Sequence, residues 1–338
     1  MNDQENIEHA LAVDDAPVDT EGALARFRAR VGREGVLPVS AAPRRRIAAR
    51  WLQALAAAAA IVLVASGLAL SGAADSILKI FEPKSVVGVP LTQGDLNTLG
   101  QACAGLELEQ CLGAYGTFAW DTPPQPKEVT TLAAASSAAG FSVKTPSSLP
   151  IGVTGQPRYG VINKSSATFT FSADATQRTA AKQSRTTPPL PANIDGSKLF
   201  ITGGPAVVQI WGVPQSSSPT VGSGMPTLVV GQAKSPVVSS DGVTVPELQS
   251  YLLAQPGVSP QLAAAIRAIS DPASTLPVPV PAELAVSHQV TVQGVSGLFI
   301  GDNTGIASAI LWQKDGMMFE VIGALTERQA LDVANSMK

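Results

Sequence analysis

The sequence predicts an α+β protein in which one transmembrane helix is followed by an extracytoplasmic antiparallel β-sheet domain with packed helices. Residues 51–74 contain no charged side chain. Beyond residue 127, short β-branched and aromatic segments bounded by Gly, Pro and Asp are interrupted by a few helical segments. Because strict strand-helix alternation is typical of doubly wound folds, this segregated order favours an antiparallel sheet.

The same patterns divide the chain into four regions. They are a cytoplasmic tail with a short amphipathic helix (1–50), a transmembrane helix (51–74), a juxtamembrane stalk with a Cys-containing segment (75–126) and an extracytoplasmic α+β domain (127–338).

The apolar segment 51–74 has the length of a membrane span. As a helix it would extend about 36 Å at about 1.5 Å per residue, and a hydrocarbon core is about 30 Å thick. Four arginines precede it, and this basic flank places the N-terminus in the cytoplasm and the C-terminal domain outside. A cleaved signal peptide and a buried soluble helix are the alternatives.

In the tail, Asp19 or Thr20 can cap a helix whose apolar side chains recur at helical spacing. Leu24, Phe27 and Val31 form its apolar face, which is a candidate contact for a partner. A helix this short docks on a partner, lies on the anionic inner leaflet of the bilayer or frays.

Both cysteines, Cys103 and Cys111, follow the apolar segment. In an oxidising compartment they could close a small disulfide loop. Two unpaired buried thiols are the alternative, because a disulfide needs Cα atoms within about 7 Å of each other.

The outer region contains the predicted elements of the sheet. A helix in EVTTLAAASSAAG ends at Gly140. Asp315-Gly316 is the preferred centre of a tight hairpin, and Thr326 with Gln329 forms a capping box for the last helix. Thr92 can cap a short helix that leads toward the cysteines. Further strands are predicted in PRYGVIN, SATFTFS, KLFITG, AVVQIWG, TLVVGQ and VTVQG, and further helices in ADATQRTAAKQS, PELQSYLLAQ and PQLAAAIRAI.

The residue inventory favours binding over catalysis. His288 is the only histidine after the apolar segment, and it lies in a strand pattern typical of a structural residue. Ser76 and Lys79 have the spacing of a Ser-x-x-Lys nucleophile without its companion motifs. The net charge of −3 and the absence of a basic stripe argue against a nucleic-acid partner. The sequence therefore predicts no catalytic residue, no cofactor and no metal site.

Six aromatic side chains could line an apolar groove or form the core of the sheet. In a sheet with one buried face, aromatic side chains belong first to the core, and a ligand groove is the second interpretation. The six are Trp120, Trp211, Trp312, Phe169, Phe171 and Phe299.

Two parts of the chain resemble known families. The segment DTEGALARFRARVG, followed by a basic linker and one apolar segment, resembles the start of bacterial anti-sigma-type transmembrane regulators. It departs from their zinc-binding class, because the tail holds only His9 and no cysteine. The region of about 130–338, from AAGFSVKTPSSLPIGV to AILWQKDGMMFEVIGALTERQALDVANSM, is similar to lipoprotein-carrier-like sensor domains with a curved antiparallel sheet.

These resemblances imply a membrane-anchored regulator or sensor. Its tail would bind a sigma factor or another cytoplasmic regulator, and its outer domain would sense or bind something. The alternative that they imply is an extracytoplasmic carrier or scaffold that binds an apolar ligand or an envelope protein.

Overall fold

Antiparallel β-sheet dominates the structure, a computed structural model that describes residues 77–96, 112–182, 184, 186–212, 226–305 and 307–338. These residues form fifteen strands in three sheets. The five helices that lie wholly within them contain eight to ten residues each. The predicted α+β class is therefore wrong, because the helices are too few and too short to form a layer equal to the sheets.

The elements have the following bounds. The strands are β1 (Leu78–Phe81), β2 (Ser85–Leu91), β3 (Gly116–Thr122), β4 (Pro126–Val129), β5 (Arg158–Ile162), β6 (Ser165–Phe171), β7 (Lys198–Gly203), β8 (Ala206–Trp211), β9 (Leu228–Lys234), β10 (Val237–Ser240), β11 (Thr275–Pro281), β12 (Ala285–Val292), β13 (Val295–Asp302), β14 (Ser308–Lys314) and β15 (Met317–Gly323). The helices are α1 (Leu132–Ala139), α2 (Ala173–Lys182), α3 (Val245–Leu253), α4 (Pro260–Arg267) and α5 (Glu327–Ser336).

No helix among the described residues is long and apolar enough to span a membrane. This finding contradicts the predicted transmembrane helix and the description of the chain as a single-pass membrane protein. Residues 51–74, on which that prediction rested, lie outside the described residues.

Three sheets are formed. The large sheet has eight antiparallel strands in the order β12-β13-β14-β15-β9-β8-β5-β4. The small sheet has five antiparallel strands in the order β1-β10-β7-β6-β3. The third sheet consists of β11 paired in parallel with β2.

Three consecutive strand pairs pass from one of the two antiparallel sheets to the other. β5, β8 and β9 belong to the large sheet, whereas β6, β7 and β10 belong to the small sheet. Within each pair only two residues separate the strands: 163–164, 204–205 and 235–236. The order β9-β8-β5 in one sheet matches β10-β7-β6 in the other, so the three links lie side by side. We call this line of links the crease.

Strands β1, β2 and β3 come from the region predicted as a stalk. Each pairs with a strand from much later in the chain, with β10, β11 and β6 respectively. The predicted cap at Thr92 is confirmed, because its backbone N–H donates to Asp95 Oδ2 at 2.9 Å and its hydroxyl accepts from the Asp95 N–H at 3.2 Å.

Alternating prolines in β11 are compatible with its parallel pairing. Ala282, just after the strand, donates its N–H to the Leu91 carbonyl of β2 at 2.9 Å. Even-numbered residues therefore direct their N–H groups toward β2. Pro277, Pro279 and Pro281 occupy odd-numbered positions, where a missing N–H removes no bond to that partner.

Both faces of the large sheet are covered by apolar side chains. On the face that we call inner, Leu298, Leu311 and Met318 pack with side chains of the small and two-stranded sheets. On the outer face, Trp312 and Phe319 are stacked with their centroids 5.2 Å apart and belong to a cluster that includes α5. Successive side chains of one strand point to opposite faces, so β14 and β15 contribute to both cores.

Three local signals that were predicted from the sequence are confirmed: a hairpin turn, a helix N-cap and a helix C-cap. Asp315 and Gly316 have φ angles of 53° and 74°, the left-handed values that a two-residue hairpin of this type requires. Thr326 and Gln329 form the reciprocal capping box that begins α5. Gly140 ends α1 with a φ angle of 68°.

Two buried glutamines of the outer face hold the segment after α1. Gln232 accepts the Lys144 N–H at 2.8 Å and donates its own amide to the Lys144 carbonyl. Gln209 donates to the same carbonyl at 2.8 Å, but its Oε1 atom is buried and has no hydrogen-bond partner among the described residues. Gln232 is therefore the more important of the two amides.

Replacing these glutamines by leucine is expected to have unequal effects. Gln232→Leu removes the hydrogen-bond partner that the Lys144 N–H has among the described residues, and it is expected to lower the free energy of unfolding by about 1–3 kcal/mol. Gln209→Leu leaves the carbonyl bonded to Gln232 and removes an unsatisfied oxygen, so a loss below about 1 kcal/mol is expected. Urea denaturation of the full-length chain measures both, and an equal or larger loss for Gln209→Leu would contradict this assignment.

Candidate functional site

A pocket lies at the crease, on the inner face of the large sheet. It encloses about 660 Å³ of space not filled by atoms, part of it open to solvent. Its walls come from the crease ends of β5, β6, β7, β8 and β9 and from β14 and β15. Most of the lining is apolar or glycine: Ile162, Gly203, Gly204, Ala206, Val207, Val208, Gly231, Ala233, Pro236, Leu311, Met318 and Phe319.

Glu320 contributes the only carboxyl group in this lining. Strand pairing places it between Leu311 of β14 and Gly231 of β9. A Cβ atom at position 231 would lie 2.5 Å from Cγ and 2.8 Å from Cδ of Glu320, closer than carbon atoms approach. The missing side chain at Gly231 therefore makes room for the Glu320 side chain to lie across β9.

The Glu320 carboxyl group has no polar partner among the described residues. No hydrogen bond or ion pair to it is formed there, and the residue is partly buried. Burial in this apolar setting disfavours the charged form and raises the pKa of Glu320 to about 7. Near neutral pH the site therefore holds both the carboxylate and the neutral acid.

The uncharged polar side chains of the lining already have hydrogen-bond partners. The Asn163 side chain bonds three backbone groups of neighbouring segments. The Gln232 amide is occupied by Lys144, and the Ser165 hydroxyl donates to a backbone carbonyl at 3.5 Å. Lys234 is exposed and forms no ion pair within the described part of the chain. Glu320 is thus the partly buried group of the described lining whose side chain has no hydrogen-bond partner there.

The described lining holds few acid-base groups. The described lining holds one carboxyl group and no second acid, imidazole or thiol. Its other groups with nucleophilic or acid-base character are the Ser165 hydroxyl and the Lys234 ammonium group. A single carboxyl group can accept a hydrogen bond or pair with a cation, and when protonated it can donate.

The predicted aromatic groove residues are not brought together. None of them lines the crease pocket. Phe169 and Phe171 lie edge to face in the inner cluster with their centroids 4.9 Å apart. The outer cluster contains Trp211, Trp312 and Phe299, and Trp120 lies on β3 beside Phe118.

His288 lies in β12, outside the lining of the pocket. Its Nε2 atom is 2.9 Å from Glu327 of α5, and its ring centroid is 4.9 Å from that of Phe299. This placement supports the structural role predicted for it, since the pair joins an edge strand to the last helix.

Two other sets of predicted site residues lie outside the described residues. They are the tail face of Leu24, Phe27 and Val31 and the cysteine pair Cys103 and Cys111. Both remain predictions.

Glu320 and Gly231 were not identified from the sequence, although each left a signal. Glu320 has the same parity as Met318 and Ile322 in an otherwise apolar strand, which places a charge on a face that is buried. Gly231 interrupts a strand rich in β-branched residues, where glycine often marks the close approach of another group. Their contact depends on the pairing of β9 with β15, which neither strand reveals alone.

Comparison of the chain with protein-family models gives no match, and comparison with curated proteins gives no significant one.

The fit between Gly231 and Glu320 predicts a coupled pair. Gly231→Ala is expected to destabilise the fold by about 1–3 kcal/mol, because the new methyl group overlaps the Glu320 side chain. In the Glu320→Ala background the same change is expected to cost about 1 kcal/mol less. Gly160→Ala is the matched control, since a Cβ atom there meets nothing within 4 Å. Denaturation of the four combinations and the control measures the coupling, and additive effects would contradict the contact.

The raised pKa of Glu320 predicts a pH-dependent stability. The folded state binds more protons than the unfolded chain between the ordinary value of 4.5 and about 7, so the unfolding free energy falls as pH rises through this window. Glu320→Gln cannot lose a proton and is expected to gain up to about 3 kcal/mol relative to the wild type between pH 5 and pH 8. Denaturant midpoints measured at both pH values test this, and parallel pH profiles would refute it.

Proposed function

We propose that the part of the chain described by the structure is a binding domain for a small, mainly apolar ligand, which occupies the crease pocket and engages Glu320 with a polar group. The observation that carries this proposal is a carboxyl group without a protein partner inside an apolar pocket. A buried polar group without a partner costs about 1–3 kcal/mol, and a ligand that supplies the missing hydrogen bond offsets that cost. Concave, mostly apolar sites with few polar groups are typical of small-molecule binding.

The proposal favours the carrier alternative among the functions predicted from the sequence. A carrier needs only the pocket. A sensor or regulator needs in addition two states of the chain that differ in their affinity for the ligand, because a ligand shifts an equilibrium only by that difference. The pocket supports the binding step that both functions share.

Uptake of a neutral apolar fluorophore tests the proposal. The full-length chain is titrated with N-phenyl-1-naphthylamine, whose emission rises in an apolar site. Ala233→Phe fills the pocket from β9, whereas Ala119→Phe adds the same ring at an exposed position of β3 that does not line it. Wild type and Ala119→Phe are expected to bind alike, and Ala233→Phe at least tenfold more weakly.

Circular dichroism verifies that each variant is folded. Should Ala233→Phe fail to fold, Ala206→Leu provides the second test, because Ala206 is the register partner of Ala233 and also lines the pocket. Unchanged dye affinity in a folded pocket variant, or no binding by the wild type, would overturn the proposed function.

A further inference from the structure

We propose that the crease pocket is selective for an organic cation, namely a protonated amine on a compact apolar body whose ammonium group pairs with Glu320. This inference rests on the proposed binding function and names the chemical class of its ligand. It follows from which hydrogen-bond donors and acceptors the pocket leaves free.

Apart from the exposed ammonium group of Lys234, the charged group of the described lining is the Glu320 carboxyl group, which offers a free acceptor. Asn163 donates both of its amide N–H groups to backbone carbonyls, Gln232 donates one to the Lys144 carbonyl, and the Ser165 hydroxyl donates to the Gly203 carbonyl. Backbone N–H groups of the lining strands point along the sheet into the ladders rather than into the pocket. An anionic ligand beside Glu320 would therefore meet a second negative charge, and the Lys234 ammonium group, which could offset it, belongs to an exposed side chain.

An ammonium group satisfies the same site. A carboxylate in an apolar cavity is costly, because desolvation removes its water without replacing it. Pairing it with an ammonium group cancels the local charge and forms charge-assisted hydrogen bonds, which are about twice as strong as neutral ones. The apolar body of the amine would then contact walls such as Val208, Leu311 and Met318, which carry no competing polar group.

Proton linkage distinguishes this ligand from a neutral one. Lys234, at the exposed end of β9, is the only other charged group of the described lining, and Leu311 and Gly231 face Glu320 from the strands on either side. Because the empty site titrates with a pKa of about 7, the amine must displace a proton from part of the molecules at neutral pH. Below pH 7 the affinity for the amine is expected to fall by up to tenfold for each pH unit. From pH 8 to pH 9 it is expected to be nearly constant.

The test compares three probes that share one hydrocarbon body: cyclohexylmethylamine, cyclohexylmethanol and cyclohexanecarboxylate. Affinities for the full-length chain are measured by displacement of the naphthylamine dye and by calorimetry at pH 6 and pH 8. Wild type is compared with Glu320→Gln and with Glu327→Gln, which alters a carboxyl group paired with His288 outside the pocket.

At pH 8 the amine is expected to bind wild type and Glu327→Gln at least tenfold more tightly than the alcohol. Glu320→Gln is expected to lose this preference, and circular dichroism verifies that the variant is folded. At pH 6 the preference of the wild type is expected to shrink about tenfold, with protons released on binding.

The failures of the two proposals are distinguishable. Equal binding of amine and alcohol, stronger binding of the carboxylate, or a preference for amine that survives in Glu320→Gln would overturn the cation selectivity and leave an apolar binding site. Failure of the wild type to take up the dye or any probe would overturn the binding function together with this inference.

Discussion

The continuity of three chain segments across the crease is the constraint on which the architecture depends. Each segment supplies one strand to the large sheet and one to the small sheet, with a link of two residues. Links of two residues are too short to absorb a difference in register between the two sheets, so the register of one sheet determines that of the other. The Lys234 N–H donates to the Pro205 carbonyl at 3.1 Å, which joins the end of β9 to the link between β7 and β8. A pocket at the crease is therefore lined by strands of both sheets.

Burial of both faces of the large sheet explains the chemistry of the pocket. A strand with one solvent-exposed face can carry an acidic residue at every second position without a desolvation penalty. In β15 both faces are covered, by the small and two-stranded sheets on one side and by α5 on the other, so the carboxyl group of Glu320 is partly buried in an apolar setting. The missing side chain of Gly231 gives this group a place to lie, and the same absence leaves it without a partner. The apolar setting and the free carboxyl group are therefore two results of one packing arrangement.

Much of the local structure followed from the sequence, because its causes are local. The hairpin at Asp315 and Gly316 requires left-handed backbone conformations, and the capping box of Thr326 satisfies N–H groups within one turn. Strands β10 and β13 were not predicted from the sequence, and neither were the five strands β1 to β4 and β11. Their residues include prolines, glycines and charges that lower strand propensity, and only pairing with distant partners stabilises them. The fold class was misjudged for that reason: strand content was underestimated while each short helix was recognised.

By itself the sequence determined the turns, the helix caps and the alternation of the long strands, since each depends on residues that are near neighbours in the chain. It also limited the chemistry, with His288 as the only histidine beyond residue 74. Only the tertiary structure decided which strands pair, that five of the six predicted aromatic side chains divide between two cores, and that Glu320 faces Gly231 inside a pocket. The physical reason is that the energy of a buried charge depends on everything that excludes water from it, and those groups come from strands up to about 160 residues apart, from Ile162 to Glu320.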